Sequence, residues 1–124
     1  MSYLPLAGAR VVETPAATMR TYASPSTAIP APFAVWRTEM AAEAVGPLHV
    51  VDVDQVVVVI AGQLRAEVAG REFVVPAGDS ALLPAGVERR LAAGTGDLVT
   101  VTASQPGAMA RVGAGGAVAV PWAR

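Results

Sequence analysis

The chain has 124 residues, enough for one domain with one substantial core and too few for two. Hydrophobic residues make up 53% and charged ones only 15%, against roughly 25% charged in an average soluble protein, so much small or apolar surface must be exposed. Self-association, most simply as a homodimer, is the expected outlet. A formal net charge of −1, with nine scattered arginines and no lysine, offers no cationic field for a phosphate backbone and argues against nucleic-acid binding. With no cysteine there is no disulfide, thiolate metal site or thiol nucleophile. No run approaches the roughly 18 apolar residues of a membrane span, and residues 1–8 lack the basic start and apolar stretch of a signal peptide. No membrane partner and a cytoplasmic location are therefore expected.

Taken in chain order, β-branched runs broken by Gly and Pro predict strands over residues 9–14, 33–40, 56–60, 64–68, 72–75, 80–83, 87–91 and 98–103. The stretch 1–32 reads as an N-terminal strand followed by a connector rich in Pro and Ser, with Pro15, Pro25, Pro30 and Pro32, too long for a hairpin. Residues 56–60 are five β-branched residues in succession, an aggregation hazard on an open edge and therefore expected inside a closed or layered sheet. Gly62 and Gln63 read as a tight turn, as do Ala69, Gly70 and Arg71. Residues 113–124 read as a flexible or packing tail, and the whole of 1–124 as one domain.

The stretch from Gly46 through His49, Val51, Gln55 and Gly62, and then from Gly78 through Pro84 and Gly86, resembles the two motifs of the cupin family, spanning about residues 46–93. The resemblance implies an all-β, single-domain jelly-roll barrel, the double-stranded β-helix, of six to eight strands. It also implies a metal held by three histidines and a glutamate. Counting back from Gly62, the first histidine falls on His49, the second on Val51 and the glutamate on Gln55; Gly78, Pro84 and Gly86 put the third histidine on Arg89. Val51 has no lone pair, a Gln amide is a weak neutral donor, and Arg89 is an obligate cation. The expectation is no metal and no cofactor, against a non-standard site built from His49 with Gln55 or Asp52.

Family membership selects no activity, so function rests on the inner surface. Strand alternation predicts that His49, Gln55 and Arg89 face inward with Val57, Val59, Val87 and Leu91, joined by Trp36, Thr38 and Met40. An apolar pocket with a few convergent polar groups is the usual make-up of a small-molecule site. Arg89 would need a partner such as Glu39 or Glu88, or an anionic ligand. Two readings stand together. One is a metal-free barrel binding a small-molecule ligand, an apolar carboxylate or related anion, with Gln55, Trp36, Thr38, Met40, Val57 and Val87 as contacts. The other is a cofactor-independent isomerase, cyclase or dehydratase, with His49 as catalytic acid or base and Arg89 as catalytic oxyanion stabiliser. A metal-dependent dioxygenase is the third. Each polar residue also has a plain structural alternative: a strand-end hydrogen bond for His49, a strut for Gln55, a buried or outward pairing for Arg89, and core packing for Trp36 and Met40.

Overall fold

The protein is described by a computed structural model covering residues 2–124. Alternating short strands and Gly/Pro corners produce twelve strands: β1 (Arg10–Glu13), β2 (Thr18–Ala23), β3 (Ala34–Met40), β4 (Val50–Val51), β5 (Gln55–Ala61), β6 (Gln63–Val68), β7 (Arg71–Pro76), β8 (Ser80–Leu83), β9 (Arg89–Ala93), β10 (Leu98–Ser104), β11 (Met109–Arg111) and β12 (Val118–Ala119). A six-stranded sheet runs β1-β2-β3-β10-β5-β8, and two three-stranded sheets run β7-β6-β9 and β12-β11-β4. Residues 45–49 join the two small sheets: Val45 and His49 bridge to Ala92 and Arg89 of β9, and the chain then enters β4. The result is an all-β jelly roll, one sheet facing a second layer stitched from two halves. No helix among the described residues is long and apolar enough to cross a membrane.

Two differences from the sequence reading matter for the site. The connector contains β2, which pairs with both β1 and β3. Thr18 to Tyr22 alternate, with Met19 and Thr21 buried between less buried neighbours, but the surrounding prolines mask that period of two. A turn closed by Thr14 joins β1 to β2, its amide donating to the Ala17 carbonyl at 2.9 Å and its Oγ1 accepting from the Ala17 amide at 3.1 Å. The second difference is the tail. Beyond residue 117 it packs: β12 pairs with β11, Pro121–Ala123 form a short 3-10 turn, and Val120 and Ala123 are buried.

Gly62 is a corner between layers rather than a hairpin, since β5 and β6 lie in different sheets. Its φ of 80° lies in the left-handed region, and a Cβ there would meet the Asp97 carbonyl oxygen at 2.1 Å. Only glycine fits both conditions. The second turn is a hairpin as expected: Val68 pairs with Arg71, and Ala69 and Gly70 both take positive φ, the two-residue turn that matches strand twist.

Side chains on the inner faces form two apolar clusters. One gathers Met40, Val57, Val59, Leu64, Leu83 and Leu98; the other gathers Met19, Trp36, Val51, Val120 and Ala123, with Trp122 packed against it. The space between the clusters is the candidate site.

Candidate functional site

The floor of the site is the inner face of the six-stranded sheet, and its pattern follows from register. Met19, Thr38 and Thr100 are neighbours across β2, β3 and β10; Trp36, Thr102 and Val57 form the next row across β3, β10 and β5; Gln55 follows beside Ser104. The facing wall carries His49, Val51, Leu64 and Leu91, and the C-terminal segment closes one side with Val120 and Trp122. The cavity between them, partly open to solvent, is about 620 Å³, within the size range of small-molecule sites. No Asp, Glu, Lys or Arg side chain lines it.

Trp36, Thr38, Met40, His49, Gln55, Val57 and Leu91 line this cavity, as alternation predicts. Val59, Val87 and Arg89 do not. Val59 packs in the core, and Val87 precedes β9 instead of lying in it. Arg89 begins β9, is 1% exposed and reaches Gln55 of the opposite sheet at 3.1 Å, but it is not among the residues that line the cavity. Its expected partners are absent: Glu39 pairs with Arg20 and Arg37 on the surface, and Glu88 is exposed.

Arg89 donates instead to neutral acceptors: Nε to the Val87 carbonyl at 2.8 Å, Nη2 to the Pro84 carbonyl at 2.6 Å and Nη1 to Gln55 Oε1 at 3.1 Å. Burial pushes its pKa down, yet a guanidinium stays protonated in proteins. The result is a buried cation with no carboxylate paired to it among the described residues. Because a guanidinium only donates, the Gln55 amide oxygen must face Arg89. The amide nitrogen is thereby turned away from it, with two hydrogens for the cavity that Gln55 lines.

His49 is fixed by similar logic. Its Nδ1 lies 2.8 Å from the Pro47 carbonyl, which can only accept, so Nδ1 carries the hydrogen and the neutral ring keeps its lone pair on Nε2. Burial lowers the imidazole pKa, the Pro47 bond opposes this, and the Arg89 charge lowers it further. At neutral pH the site thus holds a neutral imidazole acceptor, an amide donor and the hydroxyls of Thr38, Thr100 and Thr102. The β10 threonines escaped the sequence reading. Their signal is the alternation Leu98, Thr100, Thr102, Ser104, in which polar side chains occupy the buried phase.

The four positions that carry metal ligands in the resemblance do converge. His49 and Arg89 are backbone partners, Arg89 touches Gln55, and Val51 lines the same wall. Their chemistry does not fit a transition metal, since they supply one imidazole, one amide, one hydrocarbon and one cation. Asp52 and Asp54 are engaged elsewhere, accepting from the Met109 amide at 2.8 Å and the Ala85 amide at 2.7 Å. Among the described residues no group of three His, Cys, Asp or Glu side chains could hold a metal.

Comparison with known proteins gives the fold a family. No curated protein sequence matches the chain significantly. Among solved structures, one of the DMSP lyases RdDddP and RnDddQII superposes with a TM-score of 0.71 at 14% identity over 78% of this chain and 52% of the other. The present chain thus spans about half the length of that structure. The polyketide cyclase RemF from Streptomyces resistomycificus gives a TM-score of 0.71 at 17% identity, covering 85% of this chain and 79% of its own. KdgF from Halomonas sp. gives 0.71 at 17%, covering 86% and 94%. These likenesses show a shared fold. Residues 36–104, more than half of the chain and the stretch that builds β3 through β10, match the family described as the cupin domain. The chain belongs to the cupin family.

Proposed function

We propose that the chain binds a small, largely apolar organic molecule in the barrel without a transition metal, placing a carbonyl, carboxylate or related oxygen against Gln55. The observation that carries this reading is a cavity of about 620 Å³ whose polar groups, Thr38, His49, Gln55, Thr100 and Thr102, are set among Trp36, Met40, Val57 and Trp122. A few fixed polar groups in an apolar enclosure orient a ligand, while burial of its hydrocarbon supplies most of the affinity. Trp36 and Trp122 make intrinsic fluorescence a direct readout. Titration with aromatic ketones and aromatic acids should quench it saturably, and Thr102→Leu together with Gln55→Leu should weaken binding by about tenfold or more, one lost charged or polarised hydrogen bond being about 1.5 kcal/mol. Unchanged fluorescence across the whole panel would overturn the reading.

His49 supports a second reading, cofactor-independent proton transfer. A neutral imidazole with a free Nε2, opposite an amide polarised by a buried cation, has the layout of a general base facing an oxyanion stabiliser. This reading expects solvent deuterium to exchange into the α-carbon of a bound ketone, and His49→Gln to abolish that exchange without loss of binding. Exchange at the same rate in the variant would remove His49 from the chemistry.

A further inference from the structure

The most unusual group in the molecule is Arg89, the largest side chain below 2% exposure. Three neutral acceptors satisfy its nitrogens, but none cancels its charge. An unpaired buried cation is costly, and its field favours any negative charge that develops beside the amide it polarises. A preformed carboxylate is a poor candidate. Entering as an ion, it would leave water for a cavity with no charged side chain in its wall, and its two oxygens would share the few donors present.

We infer that the occupant is a weak oxygen acid, an enol or a phenol, which enters neutral and is held as its oxyanion by Gln55, with Arg89 acting through that amide as a positioning and polarising residue. The inference rests on the binding reading above and narrows its ligand class. The ligand O–H bond breaks and an N–H bond forms at His49 Nε2, while the electron pair stays on the ligand oxygen. No net charge enters or leaves the site, so the step avoids the desolvation that excludes a carboxylate. The oxyanion then accepts from the Gln55 amide nitrogen, with the Thr38, Thr100 and Thr102 hydroxyls on the same floor.

The Arg89 to Gln55 bond at 3.1 Å forces the amide to present donors to the cavity, so the site selects an acceptor there. The His49 to Pro47 bond at 2.8 Å leaves the lone pair on Nε2 of a ring that lines the same cavity, so a ligand that brings a proton as well finds an acceptor for it. A compound offering both on adjoining oxygens, or on one oxygen in two protonation states, completes the set. Without an oxyanion beside it the imidazole stays neutral and able to accept; once charge develops, the ligand supplies the counter-ion that imidazolium otherwise lacks here.

The test uses para-nitrophenol and its larger naphthol analogue, whose phenolate bands are visible, with para-nitrobenzoate as the carboxylate and nitrobenzene as the neutral control. The bound phenol should show its phenolate band at least about one pH unit below the free compound's ionisation, and the benzoate should bind at least about tenfold more weakly than the phenol. Gln55→Glu places a carboxylate against Arg89, keeps the guanidinium bonded, and should return the bound phenol to the neutral spectrum. Arg89→Met, verified as folded by near-ultraviolet circular dichroism, should do the same while nitrobenzene still binds. A bound phenol that stays neutral in the unmodified protein, a band unmoved by Gln55→Glu, or tighter binding of the benzoate would each overturn the inference. If nitrobenzene and both phenols all fail to bind, the binding reading itself falls, and this narrower one with it.

Discussion

Arg89 stands where the family resemblance implies a metal ligand, and its three bonds tie the surrounding segments together. Replacing it with Met leaves Gln55 Oε1 and the Pro84 and Val87 carbonyls without their donor, and should lower stability by about 2–4 kcal/mol in urea unfolding, since each unsatisfied buried acceptor costs about 1–3 kcal/mol and relaxation recovers part. Gln55→Glu should instead be neutral or stabilising, because the new carboxylate meets a cation already in place. Changing all three positions together, Val51→His, Gln55→Glu and Arg89→His, should create transition-metal binding at the converged positions, read by elemental analysis and by a metal-dependent rise in melting temperature. The unmodified protein should carry well under one metal per chain. About one metal per chain, lost in His49→Ala, would refute this.

His49 is the only histidine, so its titration can be read without interference from another imidazole. Burial and the Arg89 charge hold its folded pKa below the unfolded one. The unfolded chain therefore takes up a proton that the folded chain resists, and stability falls as pH drops below about 6.5 toward the lower folded value. Glu39, held down by its bonds to Arg37 and Arg20, adds a separate loss only further into acid. Denaturant midpoints measured between pH 7.5 and pH 5.5, roughly the span in which only an imidazole titrates, should decline, and His49→Gln should flatten the decline. An unchanged slope in the variant would show that His49 is not the group responsible.

Among the elements, the corner at Gly62 and the β2 strand show what a sequence makes visible. Gly62, Gly78, Pro84 and Gly86 punctuate the chain strongly enough to place β5 through β8 within a residue or two, because turn chemistry is local. Arg89 and Gln55 could be aligned to the site, but the bonds of Arg89 to the carbonyls of residues 84 and 87 are a tertiary fact with no sequence period. The same holds for the tail, whose Gly-rich stretch 113–116 reads as loose although Val120, Trp122 and Ala123 pack into the second cluster. The Thr38, Thr100 and Thr102 floor was legible in part: Thr38 by alternation, the β10 pair only by following polar residues in the buried phase. At the corner itself, Gly62→Ala should cost on the order of 3 kcal/mol, combining positive-φ strain with a backbone collision at Asp97, measured by equilibrium unfolding with ligand affinity as the check that the barrel has shifted.

The molecule as a whole leaves one broad face uncovered. On the outer side of the six-stranded sheet, Val35, Ala103, Val56 and Leu82 are register partners in a single row, and Val101 and Val58 continue it. Leu82 is 62% exposed and Ile60 51%, with Val11 of the edge strand β1 at 45%. This apolar row, separated from Val11 of β1 by the Arg20 and Arg37 positions, on a chain this poor in charge supports the homodimer reading, with this face as the contact. Light scattering at micromolar concentration should report about twice 12.6 kDa. Val56→Lys with Leu82→Glu should give monomer, with melting lowered by the lost burial. A soluble full-length monomer over that range would sink the idea.

The C-terminal segment bears on how occupancy could be sensed. Trp122 and Val120 form part of the cavity wall, and polar bonds tie them to the N-terminal strands: Thr21 Oγ1 donates to the Trp122 carbonyl at 2.8 Å, and Arg10 and Ser26 hold the Arg124 carbonyl at 3.2 and 2.7 Å. Any ligand that touches Trp122 binds only while this segment is docked. Docking and occupancy are then a linked equilibrium, and the backbone amides of Val120 and Ala123, bonded to the Ala108 and Val120 carbonyls, become a gauge of it. Their hydrogen exchange should slow by roughly a hundredfold when ligand stands at about a hundred times its dissociation constant, while amides that exchange through fraying elsewhere keep their rates. The tail then acts as the protein's own binding meter, reporting from a wall held in place by Arg10, Thr21 and Ser26.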